Sequence, residues 1–247
     1  MNAVDPLPSR PLTIVTGGSR GLGAAIAVRL AAAGHDLVLG YLRDAAAAES
    51  VARRCREHGA ACVTLAGDVT DPGDVGRLFD AAERAGTLTG VVCNAGAATS
   101  LGPLAGSEPA ALARDLDVNL LAPVLCAREA SRRLGERGAI VIISSAAAQL
   151  GSPGTYVHYA AAKAGVEALA VGLSKELGPR GIRVNAVSPG TLWTDFHADP
   201  QRPAAVAAAV PLGRAGRAEE IAGAVAWLLS DDASYTTGAV LKVSGGL

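Results

Sequence analysis

The chain has 247 residues, of which 50% are hydrophobic and 18% are charged, and its formal net charge is −1. This length and apolar content favour one large α/β domain with a buried core over two small domains. The near-neutral charge argues against nucleic-acid binding through a basic surface, and no apolar run is long enough for a membrane span.

The cysteines and histidines predict neither disulfides nor a metal site. The cysteines are scattered without a CxxC pair and no signal-peptide pattern is present, so we expect buried thiols in a cytoplasmic protein. No two histidines stand at ligand spacing, so we expect no metal. The residues concerned are Cys55, Cys62, Cys93, Cys126, His35, His58, His158 and His197.

Apolar runs bounded by glycine or proline predict a regular alternation of strands and helices after a flexible, proline-containing leader, residues 1–11. In chain order the predicted strands are 12–16, 36–41, 61–66, 88–93, 138–144, 182–187 and 240–243. The predicted helices are 21–33, 45–58, 72–85, a broken region over 108–134, 156–177 and 218–229. The irregular segment 191–211 is interpreted as a substrate lid.

The predicted strands are apolar throughout and show no alternation with polar residues. Such strands are buried on both faces, as in a parallel sheet covered by helices. The βαβ alternation therefore predicts a doubly wound, Rossmann-type, seven-stranded parallel sheet with helices on both faces. We expect residues 12–247 to form this single domain.

The first βα turn is rich in glycine and reads TGGSRGLG over residues 16–23. Gly17, Gly21 and Gly23 would let the backbone approach a pyrophosphate at a helix N-terminus, where free N–H groups favour anions. The motif follows a strand and opens a helix, which is the context that nucleotide binding requires. A glycine-rich turn without a ligand is the alternative.

Tyr159 and Lys163 form a Y-x-x-x-K pair on one predicted helix, four residues apart and therefore on the same face. An ammonium beside a phenol would lower the phenol pKa from about 10 toward neutral pH. A phenol with that pKa can donate a proton to an alkoxide and recover it. A surface pair on an amphipathic helix is the other interpretation.

The T-G-x-x-x-G-x-G spacing resembles that of the short-chain dehydrogenase/reductase family, and the remaining family motifs follow in order. They are Asp68-Val69, Asn94-Ala95-Gly96, Asn119, Ser145, Tyr159 with Lys163, Pro189-Gly190, and the C-terminal stretch from Pro211-Leu212-Gly213-Arg214 to Ser244-Gly245-Gly246. The resemblance spans residue 12 to the end, and is strongest to 3-oxoacyl-carrier-protein reductases and sugar or alcohol dehydrogenases.

The resemblance implies a catalytic set of four residues. Ser145 would orient the substrate oxygen, Tyr159 would exchange the proton, Lys163 would hold the nicotinamide ribose, and Asn119 would hold a water of a proton relay. Ser144 is the competitor for the serine role, but the later serine of such a pair is the family's catalytic one. One residue more than in many relatives falls in the loop 151–158.

The resemblance also implies where a dinucleotide would bind. Asp68 and Val69 would meet the adenine, Asn94 and Gly96 would pack against the cofactor, and Thr191 and Thr194 would grip the nicotinamide amide. The full expected cofactor set is Gly17, Ser19, Arg20, Gly21, Leu22, Gly23, Tyr41, Arg43, Asp68, Val69, Asn94, Ala95, Gly96, Tyr159, Lys163, Pro189, Gly190, Thr191 and Thr194.

The end of the second strand favours NADP(H) over NAD. An NAD site places a carboxylate there for the ribose 2′-hydroxyl, whereas residues 40–42 contain no acid. Arg20 and Arg43 would instead pair with a 2′-phosphate. Asp44 is the sign in favour of NAD, and both arginines are solvated surface charges on the alternative interpretation.

The expected function is NADPH-dependent reduction of a ketone to an alcohol on a small-molecule, 3-ketoacyl or polyketide-like substrate. A carrier protein as partner would need basic residues at the entrance, for which Arg137 and Arg180 are candidates. An oxidative sugar or polyol dehydrogenase is the second hypothesis, and a non-catalytic NADP sensor is the third.

The resemblance implies a homotetramer or homodimer through the two long helices. The expected substrate pocket comprises Ala97, Ser145, Gln149, Leu150, Tyr156, Tyr159, Trp193 and Phe196.

Overall fold

The structure, a computed structural model, describes residues 10–194 and 201–247. Within them seven parallel strands form one sheet in the order β3-β2-β1-β4-β5-β6-β7. The strands are β1 (Leu12–Thr16), β2 (Asp36–Tyr41), β3 (Cys62–Ala66), β4 (Leu88–Cys93), β5 (Ala139–Ile143), β6 (Arg183–Pro189) and β7 (Val240–Val243). This arrangement confirms the predicted doubly wound, Rossmann-type class.

Helices cover both faces of the sheet. The described α-helices are α1 (Gly21–Ala32), α2 (Ala45–Glu57), α3 (Pro72–Ala85), α4 (Pro109–Leu116), α5 (Ala122–Arg133), α6 (Ala147–Leu150), α7 (Val157–Leu177), α8 (Arg202–Val206) and α9 (Ala218–Leu229). One core lies beneath α1, α2 and α9, and the other beneath α3, α5 and α7. Side chains from successive positions of β1 enter opposite cores, as with Ile14 and Val15.

The predicted long helix over 108–134 is divided by a π-helical turn, Asp117–Leu121, between α4 and α5. A π turn holds one residue more than an α turn and occurs frequently at functional sites. The short α6 was not predicted. Strand β6 runs two residues beyond its predicted end, because Ser188 and Pro189 pair with Lys242 and Val243 of β7.

The proposed leader lies outside the described residues except for Arg10 and Pro11. Arg10 forms an ion pair with Asp36 at 3.2 Å, which attaches this point of the chain to the start of β2. In the described ranges, no helix is both long and apolar enough to cross a membrane. The same ranges contain no group of His, Cys, Asp and Glu side chains arranged to hold a metal ion.

Candidate active site

The candidate site lies at the carboxyl ends of the central strands. The chain order reverses between β1 and β4, and in open α/β sheets ligands bind outside the strand ends at such a reversal. The glycine turn follows β1, Asn94 follows β4, Ser145 follows β5 and Gly190 follows β6. The sheet thus brings segments that are far apart in sequence to one edge.

The glycine turn is built so that only glycine fits at three of its positions. Gly17 and Gly21 have φ values of 64° and 53°, in the left-handed region that side chains disfavour. A Cβ at Gly23 would lie 2.1 Å from the Gly17 carbonyl oxygen. The turn therefore folds tightly against the first residues of α1.

Thr16 and Asn94 join the glycine turn to the end of β4. The Thr16 hydroxyl oxygen accepts hydrogen bonds from the backbone N–H groups of Asn94 and Ala95 at 2.9 and 3.0 Å. The Asn94 side-chain amide donates to the carbonyl oxygens of Thr16 and Gly17. Asn94 thus fixes the shape of the glycine turn, a positioning role that its spacing alone did not predict.

The N-terminus of α1 offers free backbone donors to an anion. Among the described residues no side chain caps α1, and its first turn carries no acid. By contrast, the carboxylates of Asp44 and Asp71 cap α2 and α3. An uncapped helix N-terminus behind a tight glycine turn suits a pyrophosphate. The residues of this turn therefore fit a dinucleotide cofactor.

The other expected cofactor contacts lie along the same edge. Tyr41 ends β2, and the exposed Arg20 and Arg43 follow β1 and β2. Asp44 is occupied as the N-cap of α2, where it accepts a hydrogen bond from the Ala47 N–H at 2.9 Å. The carboxylate that favoured NAD therefore has a structural role.

The segment after β3 turns sharply at the same edge. Asp68 accepts hydrogen bonds from the N–H and hydroxyl of Thr70. Val69 lines a narrow cleft together with Thr16 and Ala95. The Asp68-Val69 motif and the Asn94-Ala95-Gly96 motif thus lie next to each other at this edge.

The far end of the cofactor edge is formed by the segment after β6. The Gly190 N–H donates to the Val243 carbonyl oxygen at 3.1 Å, and a Cβ at Gly190 would lie 2.8 Å from the Ser244 backbone. Thr194 approaches the glycine turn, since its Cβ lies 3.8 Å from the place of a Cβ on Gly21. Pro189-Gly190-Thr191 and the glycine turn therefore border one groove.

Tyr159 and Ser145 face each other in the site. The Tyr159 side chain is buried, and its hydroxyl shares a side-chain hydrogen bond with Ser145. The Ser145 oxygen also accepts a hydrogen bond from the Ala147 N–H at 3.1 Å, which holds it at the start of α6. Two hydroxyl groups are thus held side by side, an arrangement that suits the binding of one substrate oxygen.

Burial sets the ionisation of Tyr159. Removal of the phenol from water raises its pKa well above the usual value, while the hydrogen bond with Ser145 lowers it in part. The expectation that Lys163 would bring this pKa toward neutral pH is therefore wrong for the chain alone. The Tyr159 hydroxyl keeps its proton at neutral pH.

Lys163 lies beneath the Tyr159 ring. Its Nζ is 5.5 Å from the ring centroid and donates to the Ile143 carbonyl oxygen at 3.0 Å. Burial lowers the Lys163 pKa to about 8, so the ammonium is still mostly charged at neutral pH. The enclosed ammonium is positioned to stabilise a phenolate at Tyr159 and to hydrogen-bond a hydroxyl group of a bound ligand.

Asn119 lies in the π turn and is fully buried. Its amide nitrogen donates to the carbonyl oxygens of Ala97 and Asp115. A Cβ on Gly96 would lie 3.0 Å from the Asn119 Oδ1 and 3.6 Å from the Lys163 Nζ. The Asn119 Oδ1 and the Lys163 Nζ therefore both lie beside Gly96, an arrangement that a proton relay between them requires.

The structure distinguishes the two serines after β5. Ser144 is buried, and its hydroxyl is hydrogen-bonded to the Lys163 carbonyl oxygen and to Glu167 at 3.2 and 2.7 Å. Ser145 contacts Tyr159 instead. The geometry thus places Ser145, and not Ser144, beside Tyr159, and the choice of Ser145 as the catalytic serine stays a prediction.

Asp115 and His158 form a buried pair that sequence reasoning missed. The His158 Nε2 lies 2.9 Å from the Asp115 Oδ2, and Asp115 also accepts hydrogen bonds from Thr99 and the Ser100 N–H. Burial alone would raise the Asp115 pKa, but these hydrogen bonds outweigh it and hold the pKa below the usual value. His158 is thus buried in the first turn of α7 and is hydrogen-bonded to Asp115.

The predicted substrate-pocket residues divide into three groups. Tyr156 and Ala97 lie at the site, because Tyr156 packs edge-to-face on Tyr159 with centroids 5.1 Å apart and the Ala97 carbonyl oxygen binds Asn119. Gln149 is held by the Glu167 carboxylate, and Leu150 and Trp193 are exposed at the rim. Phe196 and His197 lie outside the described residues.

Arg202 is a second residue that sequence reasoning missed. It begins α8, and its guanidinium carbon lies 5.5 Å from the centroid of the Tyr156 ring. Its Nη2 is 3.4 Å from the Tyr156 hydroxyl oxygen. A short helix inside an irregular segment gave no periodicity by which this contact could be predicted.

The two arginines considered for carrier-protein binding are not at the entrance. Arg137 precedes β5 and Arg180 precedes β6, so both lie at the amino edge of the sheet, opposite the site. The Arg180 guanidinium also donates to the carbonyl oxygens of Ser131 and Leu134. The prediction of a basic entrance formed by these residues is wrong.

Known proteins match this chain over most of its length. The family model described as enoyl-(acyl carrier protein) reductase matches residues 17–247. The uncharacterized oxidoreductase YgfF of Escherichia coli is 39% identical over 95% of this chain and 99% of its own. The cis-4-hydroxycyclohexanecarboxylate dehydrogenase of Sinomonas cyclohexanicum is 40% identical over 95% of both chains.

Solved structures show the same likeness. A short-chain dehydrogenase from Burkholderia cenocepacia in complex with NADP superimposes with a TM-score of 0.91 at 35% identity, covering 96% of this chain and 97% of that one. The chain belongs to the short-chain dehydrogenase/reductase family and is an oxidoreductase of that family.

Proposed function

We propose that this oxidoreductase uses NADPH to reduce a ketone to a secondary alcohol, with Asn119, Ser145, Tyr159 and Lys163 as its catalytic residues. The observation that supports this most is the buried Tyr159 phenol, hydrogen-bonded to Ser145 and placed above the Lys163 ammonium. When bound, the nicotinamide supplies a hydride to the carbonyl carbon. The remaining chemistry belongs to the residues of the chain.

Ser145 and Tyr159 bind and polarise the carbonyl oxygen. Because its pKa is raised, the Tyr159 hydroxyl is protonated at neutral pH and can donate that proton to the forming alkoxide. The phenolate left behind is stabilised by the Lys163 ammonium. Lys163 also holds the ribose hydroxyls, and Asn119 anchors the path by which the proton is replaced.

The residues at the ends of β1 and β2 favour NADP(H) as the cofactor. Arg20 and Arg43 would bind the 2′-phosphate, and Asp44, the acid that could have served an NAD ribose, is engaged as the N-cap of α2. The NADP bound by the related Burkholderia cenocepacia protein supports the same choice. The glycine turn, Tyr41, Val69 and Ala95 would hold the remainder of the dinucleotide.

The oxidation of an alcohol on the same site is the second candidate function. The related Sinomonas cyclohexanicum protein is named as a dehydrogenase of a hydroxycyclohexane carboxylate, which favours a cyclic secondary alcohol and its ketone as the reactive pair. Reduction uses the protonated Tyr159, whereas oxidation uses its deprotonated form. Initial rates in both directions, with both cofactors, distinguish the two candidates.

We also propose where the protein acts, how it assembles and which segment covers its substrate. We place it in the cytoplasm, since its four cysteines remain free thiols. We further propose that it assembles as a homotetramer or homodimer through α4, α5 and α7. The segment 191–211 would act as the substrate lid, of which residues 191–194 and 201–211 are described.

The experiment is the substitution Tyr159→Phe, assayed by NADPH oxidation against cyclic ketones, aldoses and carrier-bound 3-ketoacyl thioesters. We expect the variant to fold, to bind NADPH more tightly than NADH by fluorescence titration, and to lose about 10²- to 10⁴-fold in kcat. Tyr235→Phe is the control, because Tyr235 is fully exposed. A Tyr159→Phe enzyme with a near wild-type rate would overturn the assignment.

A further inference from the structure

We propose that Arg202 binds a carboxylate of the substrate, so that the ketones accepted by this site are oxo acids. The inference rests on the proposed function and names the substrate class for it. It follows from the position of one guanidinium relative to the two aromatic rings of the site.

Two consecutive contacts connect Arg202 to the catalytic tyrosine. The guanidinium stacks over Tyr156 at 5.5 Å, and the Tyr156 ring packs on the Tyr159 ring at 5.1 Å. A substrate whose carbonyl oxygen meets Tyr159 therefore extends along Tyr156 toward Arg202. A carboxylate a few carbon atoms from the carbonyl would reach the guanidinium.

Arg202 is held in place, and most of its donors have no partner within the described part of the chain. Pro203, next to it in α8, is buried, and the hydrogen bond that the Arg202 Nη2 donates to a described residue is a long one, 3.4 Å to the Tyr156 hydroxyl. Among the described residues, no carboxylate forms an ion pair with Arg202. A guanidinium has five N–H donors in a planar fork that matches a carboxylate.

The acidic groups around the site that belong to residues 10–194 and 201–247 are already engaged. The Glu167 carboxylate accepts hydrogen bonds from Ser144 and Gln149, and Asp115 accepts them from His158, Thr99 and Ser100. Among the side chains that the structure describes beyond Tyr156, the charge that a substrate meets is therefore the positive charge of Arg202. The cofactor phosphates would have their own place at the uncapped N-terminus of α1.

The first test compares oxo acids with neutral analogues of the same shape. The probes are 4-oxocyclohexanecarboxylate and 4-oxopentanoate, each paired with its amide, reduced by the NADPH-loaded enzyme. We expect kcat/KM to be at least about tenfold higher for the acids. Arg202→Gln should abolish this preference through KM, Arg202→Lys should restore part of it, and the KM for NADPH should not change in either.

A binding experiment tests the inference without turnover. Cyclohexanecarboxylate and cyclohexanecarboxamide are titrated into the NADPH-loaded protein and into Arg202→Gln, with Arg53→Gln as the control for loss of one exposed charge on α2. We expect the carboxylate to bind at least about tenfold more tightly than the amide, except in Arg202→Gln. Equal affinities in the wild type, or an unchanged preference in Arg202→Gln, would overturn the inference. Carboxylate-selective binding without reduction of any ketone would support Arg202 and contradict the proposed function.

Discussion

Lys163 carries its charge in an enclosed position. Its ammonium has one carbonyl partner, Ile143, and the face of the Tyr159 ring beside it. Removal from water disfavours the charged form, which lowers the pKa from 10.5 to about 8. The folded chain therefore releases this proton at a lower pH than the unfolded chain does.

This difference predicts the pH dependence of stability. Between about pH 8 and 10 the unfolded chain binds more protons at Lys163, so the free energy of unfolding rises with pH. We expect the cofactor-free wild type to gain about 1–2 kcal/mol between pH 8 and 9.5 relative to Lys163→Met, as measured by urea unfolding. Lys175→Met, which removes an exposed lysine of α7, should retain the rise. Parallel curves for wild type and Lys163→Met would contradict the shift.

The residue types of the site were predictable from sequence, but their electrostatics were not. The spacing of Tyr159 and Lys163 predicts a shared helix face, and the structure places the two side chains together. The direction of the Tyr159 pKa shift was predicted wrongly, because spacing reveals a neighbouring charge but not the extent of burial. Arg202 was missed because its aromatic partner, Tyr156, is distant from it in the sequence.

Three elements meet at the Asp115–His158 pair. Asp115 belongs to α4 and His158 to α7, and Thr99 and Ser100 come from the loop after β4. The Asp115 carbonyl oxygen also accepts a hydrogen bond from Asn119, and His158 directly precedes Tyr159. The pair is thus a positioning contact between two of the proposed catalytic residues.

We expect His158→Ala to lower the free energy of unfolding by about 1–3 kcal/mol, because it leaves the buried Asp115 carboxylate without one of its donors. The kcat for ketone reduction should also fall in His158→Ala, while the KM for NADPH stays unchanged. Urea unfolding and steady-state kinetics measure the two effects. His58→Ala, at the exposed end of α2, is the control. A wild-type kcat in His158→Ala would show that the pair has no positioning role.

The long elements of the fold were predictable because each carries its own pattern. Six of the seven strands lie within one residue of their predicted bounds, since buried apolar runs of four to seven residues mark them. The short α6 depends on a tertiary arrangement, in which the Ser145 hydroxyl oxygen accepts a hydrogen bond from the Ala147 N–H while the same side chain contacts Tyr159. No local periodicity encodes such a contact.

At the scale of the whole molecule, the sheet separates the site from the surfaces available for assembly. The site occupies the carboxyl edge, while the outer faces of the helices are directed to solvent. Leu116, Leu121 and Val171 are exposed apolar residues on α4, the π turn and α7. These residues lie on the faces that the proposed oligomer would bury.

We therefore expect Val171→Glu to reduce the oligomer size, because a charge at a buried subunit interface loses its hydration. Light scattering coupled to size exclusion should give the mass of two or four chains for the wild type and a smaller one for the variant. Val63→Glu is the matched control, since Val63 is similarly exposed on β3. A monomeric wild type, or an unchanged mass in Val171→Glu, would contradict the proposed assembly.

The π turn at Asp117–Leu121 makes chain length as important as residue identity in this part of the molecule. Each residue of a helix turns the chain by about 100°, so loss of one position would rotate everything that follows relative to α4. The Asn119 amide would then leave the carbonyl groups of Ala97 and Asp115 without any change in its own side chain. Sequence drift across this turn is therefore expected to proceed by substitution, with insertions and deletions confined to the loops on either side of the helix pair.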